Sequence, residues 1–265
     1  MSFEDTLATH FPGAVTDGEF VTRSYAALRA HGFQPMNTFA GVGLCRDELT
    51  RPLADKIRET WGETFNISSL AGMLFLGTAG FTASLHHAPD DDQGTRHIYF
   101  AMPHIGINSG EEIGWCYRSG QQQISKACGA LVAFREELES GTLRVDMDPD
   151  NLEQSMLKQR LIHKLRYGKV PGLITMTKLT HEAILEDLER MIRLTIDTSR
   201  SHYAILTGIQ IHGPHNRTYI WPGKMYAVVE GKRHPLSLEE PGDGAKKKLV
   251  RRAGRSSGGA KRRKP

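Results

Sequence analysis

Cysteine is scarce in this chain, with three among 265 residues. An odd, small number argues against a disulfide framework and fits a reducing compartment. Long apolar runs are missing too. No stretch approaches the roughly 18 consecutive apolar residues that a membrane span needs. The amino terminus, Met1-Ser2-Phe3-Glu4-Asp5, is acidic and carries no apolar run, so it does not read as a secretory signal. The expected compartment is the cytoplasm, or an organelle if a transit peptide has been removed. Neither a CxxC nor an HExxH string occurs, so no local motif announces a metal site. What is present is ordinary for a globular protein: 39% hydrophobic, 24% charged and 8% aromatic residues. That balance excludes collagen-like, wholly disordered and disulfide-scaffold chains.

The net charge of +4 conceals an asymmetry. Residues 244–265 hold five Lys, five Arg and no acid, which leaves −6 on the rest. After Pro241 the composition turns to Gly, Ser, Lys and Arg. The expected organisation is one domain over residues 1–241 and a disordered basic tail over residues 242–265. The tail has no aromatic for base stacking, so it reads as a polycationic appendage and not as a specific nucleic-acid reader.

Hydrophobic periodicity predicts a helix over residues 17–31 and another over 47–61. In the second, Leu49, Leu53, Ile57 and Trp61 recur every four residues. Residues 37–44 read as a buried strand, and 70–85 as a buried strand with a close-packed turn. Residues 97–107, broken by Pro103, form the most strand-like run. Helices are expected over 125–140, 151–167 and 181–197, and strands over 203–212 and 225–230. This alternation predicts an α/β fold.

Three residues stand where such a fold gathers ligands. Cys45 follows a buried strand, His104 closes the strongest strand, and Cys128 opens a helix. Groups at the carboxyl ends of parallel strands converge on one edge. A thiolate at a helix start is favoured by the dipole, and thiolates with imidazole suit Zn²⁺. Spacing alone leaves buried cysteines and a satisfied core histidine as the competing reading. Cys116 is the remaining thiol and reads as a core or turn residue.

Longer strings narrow the choice. Asn37-Thr38-Phe39-Ala40-Gly41-Val42-Gly43-Leu44-Cys45-Arg46-Asp47-Glu48, Ala101-Met102-Pro103-His104-Ile105-Gly106-Ile107 and Ser125-Lys126-Ala127-Cys128-Gly129-Ala130-Leu131 resemble the limiting-CO2-inducible protein B family. That family is related to the theta-class carbonic anhydrases and similar in fold to the β-carbonic anhydrases. Ala204 to Pro214 and Tyr219 to Gly223 look similar as well. The resemblance covers roughly residues 15–232. It implies a β-carbonic-anhydrase-like, mainly parallel sheet flanked by helices. It also implies a zinc ion on Cys45, His104 and Cys128, and Asp47 as the carboxylate beside the first ligand. The implied activity is reversible hydration of CO2 to bicarbonate by zinc-bound hydroxide, in a homodimer. A non-catalytic, zinc-binding assembly protein of inorganic-carbon handling is the alternative within the family. Two features depart from ordinary β-carbonic anhydrases. Leu49 stands where those enzymes carry arginine, and 23 residues separate His104 from Cys128.

Roles follow for neighbouring residues. Asp47 either orients the attacking oxygen or binds the metal itself; it also suits a helix N-cap. Arg46 is expected to hold Asp47 by a charge-assisted bond, with Arg51 and Arg58 as alternatives. His87, beside His86, is the expected proton shuttle, because histidine titrates near neutrality. Asp90, Asp91 and Asp92 read as a solvated acidic loop, and His212 and His215 as turn residues around Gly213-Pro214.

Overall fold

The chain is described by a computed structural model covering residues 1–90, 94–109 and 112–238. The amino-terminal helix α1 (Phe3–His10) starts from a capping box in which Ser2 accepts the Asp5 N–H. Strand β1 (Val15–Thr16) leads into α2 (Asp17–Arg29), capped in the same way by Thr16 and Glu19. Strand β2 (Phe39–Gly43) follows, then α3 (Arg51–Trp61). Pro52 lies in the first turn of α3, where its missing N–H costs nothing. Leu53, Ile57 and Trp61 form the buried face of α3.

Next come β3 (Thr64–Asn66), α4 (Gly77–Leu85), β4 (Thr95–Ala101), β5 (His104–Gly106), β6 (Trp115–Cys116) and β7 (Ser125–Lys126). Then follow α5 (Gly129–Ser140), α6 (Leu152–Ile162), α7 (Leu173–Thr195), β8 (Ser201–His212), β9 (Thr218–Val229) and β10 (Lys232–Pro235).

The sheet runs in the order β1-β9-β8-β4-β2-β3. Its heart is parallel: β2 pairs with β3 and β4, and β8 pairs with β4 and β5. Strand β9 joins β8, β1 and β10 antiparallel. Helices α4 to α7 cover one face, over a core that includes Met73, Phe81, Tyr99, Phe134 and Leu188. Helices α2 and α3 cover the other, over Phe20, Leu28, Leu53, Trp61, Phe100 and Leu206. This is the mainly parallel, helix-flanked α/β fold expected.

Several boundaries differ from expectation. Residues 70–85 are not a strand: a short 3₁₀ turn at Leu70–Gly72 precedes α4. An aperiodic run rich in Gly and Ala does not separate helix from strand, and α4 buries only Phe81 and Ser84. Met102-Pro103 divides the run 97–107 into β4 and β5, because proline cannot donate to the ladder. Helix α7 begins at Leu173, eight residues ahead of the expected start, and β9 begins at Thr218 instead of 225. The basic tail, Asp91 and Asp92 lie outside the described residues.

Candidate metal centre

The parallel strands point their carboxyl ends at one edge, and the centre assembles there. Cys45 lies just beyond β2, His104 opens β5, and Cys128 is the N-cap of α5. Their ligand atoms all lie within 4.8 Å of one another, and all three residues are buried. The two Sγ atoms are 3.8 Å apart. Two thiolates at 2.3 Å from a tetrahedral zinc would stand about 3.8 Å apart, so the spacing fits. His104 Nε2 is buried with no hydrogen-bond partner among the described residues. A buried ring nitrogen of this kind is available for a metal. The donor set, two thiols and an imidazole, is one that zinc accepts.

The thiols behave as a pair. The hydrogen bond from Cys128 draws the Cys45 pKa down to about 4, against the effect of burial. The same bond, with burial, pushes the Cys128 thiol well above its ordinary value. Cys116 sits on β6 outside the cluster, and burial pushes its pKa up to about 11. It stays a core thiol, as expected.

Two residues complete the centre: His212, expected in a turn, and Arg118, which carries no signal in the sequence. His212, the last residue of β8 and not a turn residue, places Nε2 3.1 Å from His104 Nδ1. Its own Nδ1 is 3.4 Å from Thr218 Oγ1. Burial holds the His212 pKa well below its usual value, so the ring is neutral and can accept the His104 N–H. That bond sets the His104 tautomer that leaves Nε2 free toward the thiols.

Arg118, from the segment joining β6 and β7, grips Asp47. Its Nη2 donates to Asp47 Oδ2 at 2.9 Å, and its Nη1 to Oδ1 at 3.1 Å. The same guanidinium donates to Glu48 Oε1, Ser125 Oγ and the Lys126 carbonyl. Asp47 also accepts the Leu49 N–H at 3.1 Å and caps the 3₁₀ turn before α3. Its Oδ2 is 3.9 Å from His104 Nε2. Burial raises the Asp47 pKa, while His104 and Arg118 pull it back.

Two expected roles do not match the geometry. Arg46 turns away from Asp47 and pairs with Glu153, Nη2 to Oε1 at 2.5 Å. Glu153 also accepts the Leu70 N–H at 2.9 Å. Arg46 thus fastens α6 to the centre's rim, and Arg118 is the partner of Asp47. Arg51 and Arg58, the other arginines considered for that place, lie on α3, and neither bonds Asp47. His87 stacks on Phe39 with ring centroids 5.6 Å apart. Phe39 opens β2 and Cys45 lies past its end. At about 3.3 Å per residue that separates His87 from the cluster by roughly 20 Å, so the expected shuttle is at the wrong end of the strand.

Beside the centre lies a cavity of about 330 Å³. Glu48, Leu49, Arg118, His212, Arg217 and Thr218 are among its lining residues.

Known proteins share this arrangement of elements. A family model described as limiting CO2-inducible proteins B/C β-carbonic anhydrases matches residues 14–229. The crystal structure of the limiting CO2-inducible protein LCIB is similar at 32% identity and TM-score 0.73, over 89% of this chain and 100% of that one. The structure of PtLCIB4, a homologue of LCIB, is similar in fold at 24% identity and TM-score 0.73, over 88% and 99% of the two chains. No curated protein matches the chain. With most of its length matched by the family model and by LCIB, the chain belongs to the limiting CO2-inducible protein B/C family of β-carbonic-anhydrase-like proteins.

Proposed function

We propose that this protein is a zinc-dependent carbonic anhydrase that interconverts CO2 and bicarbonate. The observation that carries the reading is the bidentate Asp47–Arg118 pair beside the Cys45, His104 and Cys128 cluster. Arginine holds this carboxylate by a charge-assisted fork, so its oxygens are committed to Arg118 and not to the ligand cluster. A three-ligand donor set then keeps a fourth position for water, the mark of a catalytic site.

Cys45, His104 and Cys128 would hold the zinc. Bound there, zinc supplies a water acidified enough to be a nucleophile near neutral pH. Asp47, which keeps lone pairs beyond those that Arg118 occupies, would accept a hydrogen bond from the attacking water and orient it. Arg118 keeps Asp47 ionised and aimed. His212 keeps His104 in the tautomer that faces the thiols. Water adds to CO2 to give bicarbonate, and one proton leaves to solvent.

Replacing Cys45 by Ser tests both halves of this reading. The variant should lose bound zinc and CO2 hydration together, measured by elemental analysis and stopped-flow pH change. Stoichiometric zinc retained in C45S contradicts the ligand set. Full zinc in the wild-type protein with no hydration makes it a non-catalytic member of the family.

A further inference from the structure

Gln210 on β8 is fully buried, and neither its Oε1 nor its Nε2 finds a partner among the described residues. Buried carboxamides are nearly always satisfied, so one bare at both ends calls for an occupant that is not protein. Its position says where that occupant sits. In the parallel register Gln210 is paired with His104. Side chains of paired residues on neighbouring strands leave the same face, with backbones about 4.8 Å apart. His212, two residues on, shares that face and touches the His104 ring. The Gln210 carboxamide is therefore a neighbour of the metal-ligating imidazole, while Ile220, its partner across the antiparallel pair, offers only hydrocarbon.

The chemistry of the group selects its ligand. A carboxamide presents one carbonyl acceptor and one NH₂ donor, side by side and uncharged. CO2 can only accept hydrogen bonds, whereas bicarbonate carries both acceptor oxygens and an O–H donor. We propose that Gln210 is the bicarbonate-recognising residue of this centre, Nε2 donating to a bicarbonate oxygen and Oε1 accepting from its O–H. The inference rests on the carbonic anhydrase reading above for the identity of the ligand. Retaining an unpaired amide at this depth costs stability, which an apolar residue of the same shape would return. Function is what keeps it there.

The test uses full-length, zinc-loaded protein with Gln210→Met, a near-isosteric apolar replacement. Bicarbonate affinity is read from ¹³C line-broadening titrations of labelled bicarbonate, alongside zinc content and melting temperature. Q210M should bind bicarbonate about tenfold more weakly, the usual effect of losing a buried hydrogen-bonding partner. Its zinc content should be unchanged and its melting temperature equal or higher. Affinity within twofold of wild type overturns the proposal and assigns the amide to a trapped water. A sharply lower melting temperature with zinc loss also overturns it, since the role is then packing. If Q210M does not fold, the wild-type side-chain amide decides: its ¹H–¹⁵N signals must move on addition of bicarbonate, and static signals refute the proposal. A wild-type protein that binds bicarbonate yet hydrates no CO2 would fail the enzyme reading and leave this inference intact.

Discussion

Arg118 and Arg46 flank the same turn and hold different carboxylates, and their exchange should be visible in kinetics. Arg118 grips Asp47 through two bonds with both side chains largely buried. Charge-assisted hydrogen bonds contribute about 1.5–3 kcal/mol. Arg118→Ala should therefore lower kcat/KM roughly 10- to 100-fold with zinc still bound. Arg46 is exposed, Glu153 is partly buried, and their pair serves the fold, so Arg46→Ala should cost less than about threefold in rate and about 1 kcal/mol in stability. Equal losses in the two variants would undo the assignment. The Glu153 carboxyl is held below its usual value, first by Arg46 and also by the Leu70 N–H. A depressed carboxylate contributes stability that is fully present above its unfolded pKa, near 4.5, and is lost as pH falls through the folded value. Urea melts of Glu153→Gln should show a deficit of about 1 kcal/mol at pH 7 that shrinks steadily below pH 4.5. A deficit constant with pH would mean that the charge plays no part.

How much of the centre could be read from the sequence depends on how local each signal is. Cys45, His104 and Cys128 each sit at an element boundary, and boundaries leave marks in a sequence. Arg118 leaves none: it lies 71 positions from Asp47 and reaches it only because β6 and β7 fold back over the sheet edge. Arg46 was the natural choice by proximity, yet adjacent residues on an extended segment point to opposite sides. His212 closes the strand expected over residues 203–212, and its neighbours Gly213-Pro214 make it read as part of the turn and not as a partner of His104. The His86-His87 pair carries only a composition signal, and it lies where α4 ends, beside Phe39 at the start of β2 and so at the end of the strand away from the centre.

At the scale of elements, the segment before α4 shows what holds His104 in place. Gly72 has φ +76°, and a Cβ there would overlap the Met102 carbonyl oxygen. The Leu70–Gly72 turn thus packs directly against the Met102-Pro103 break that delivers His104 to the centre. Gly72→Ala combines a left-handed backbone with a clash against main chain, so about 2–4 kcal/mol of stability should be lost. Equilibrium denaturation measures this, and a loss below about 0.5 kcal/mol would show that the turn can shift freely. The run that follows shows no helical period, because the exposed face of α4 is made of Gly, Ala and Thr and carries no charge to contrast with buried Phe81. By contrast most of α3 is legible, since Leu53, Ile57 and Trp61 keep a clean helical repeat against solvent-facing Arg and Glu; the expected start at residue 47 and the expected stripe member Leu49 fall instead in the 3₁₀ turn Glu48–Thr50.

For the molecule as a whole, the acidic body and the basic tail pose separate questions. No helix among the described residues is long and apolar enough to cross a membrane. The tail reads as a polycationic appendage, so removing residues 242–265 should leave hydration per zinc within about twofold of the full chain, a change of less than 0.5 kcal/mol. A collapse of activity on truncation would tie the tail to the centre. The homodimer that the resemblance implies would give a light-scattering mass twice the 29.5 kDa of the chain, and a monomer at micromolar concentration would contradict it. The most direct test of the whole account is the rate of CO2 hydration by the wild-type protein at one zinc per chain, set against the same protein stripped of metal. The account predicts a rate far above the stripped control, restored by zinc. Equal rates with zinc confirmed on the protein would contradict it.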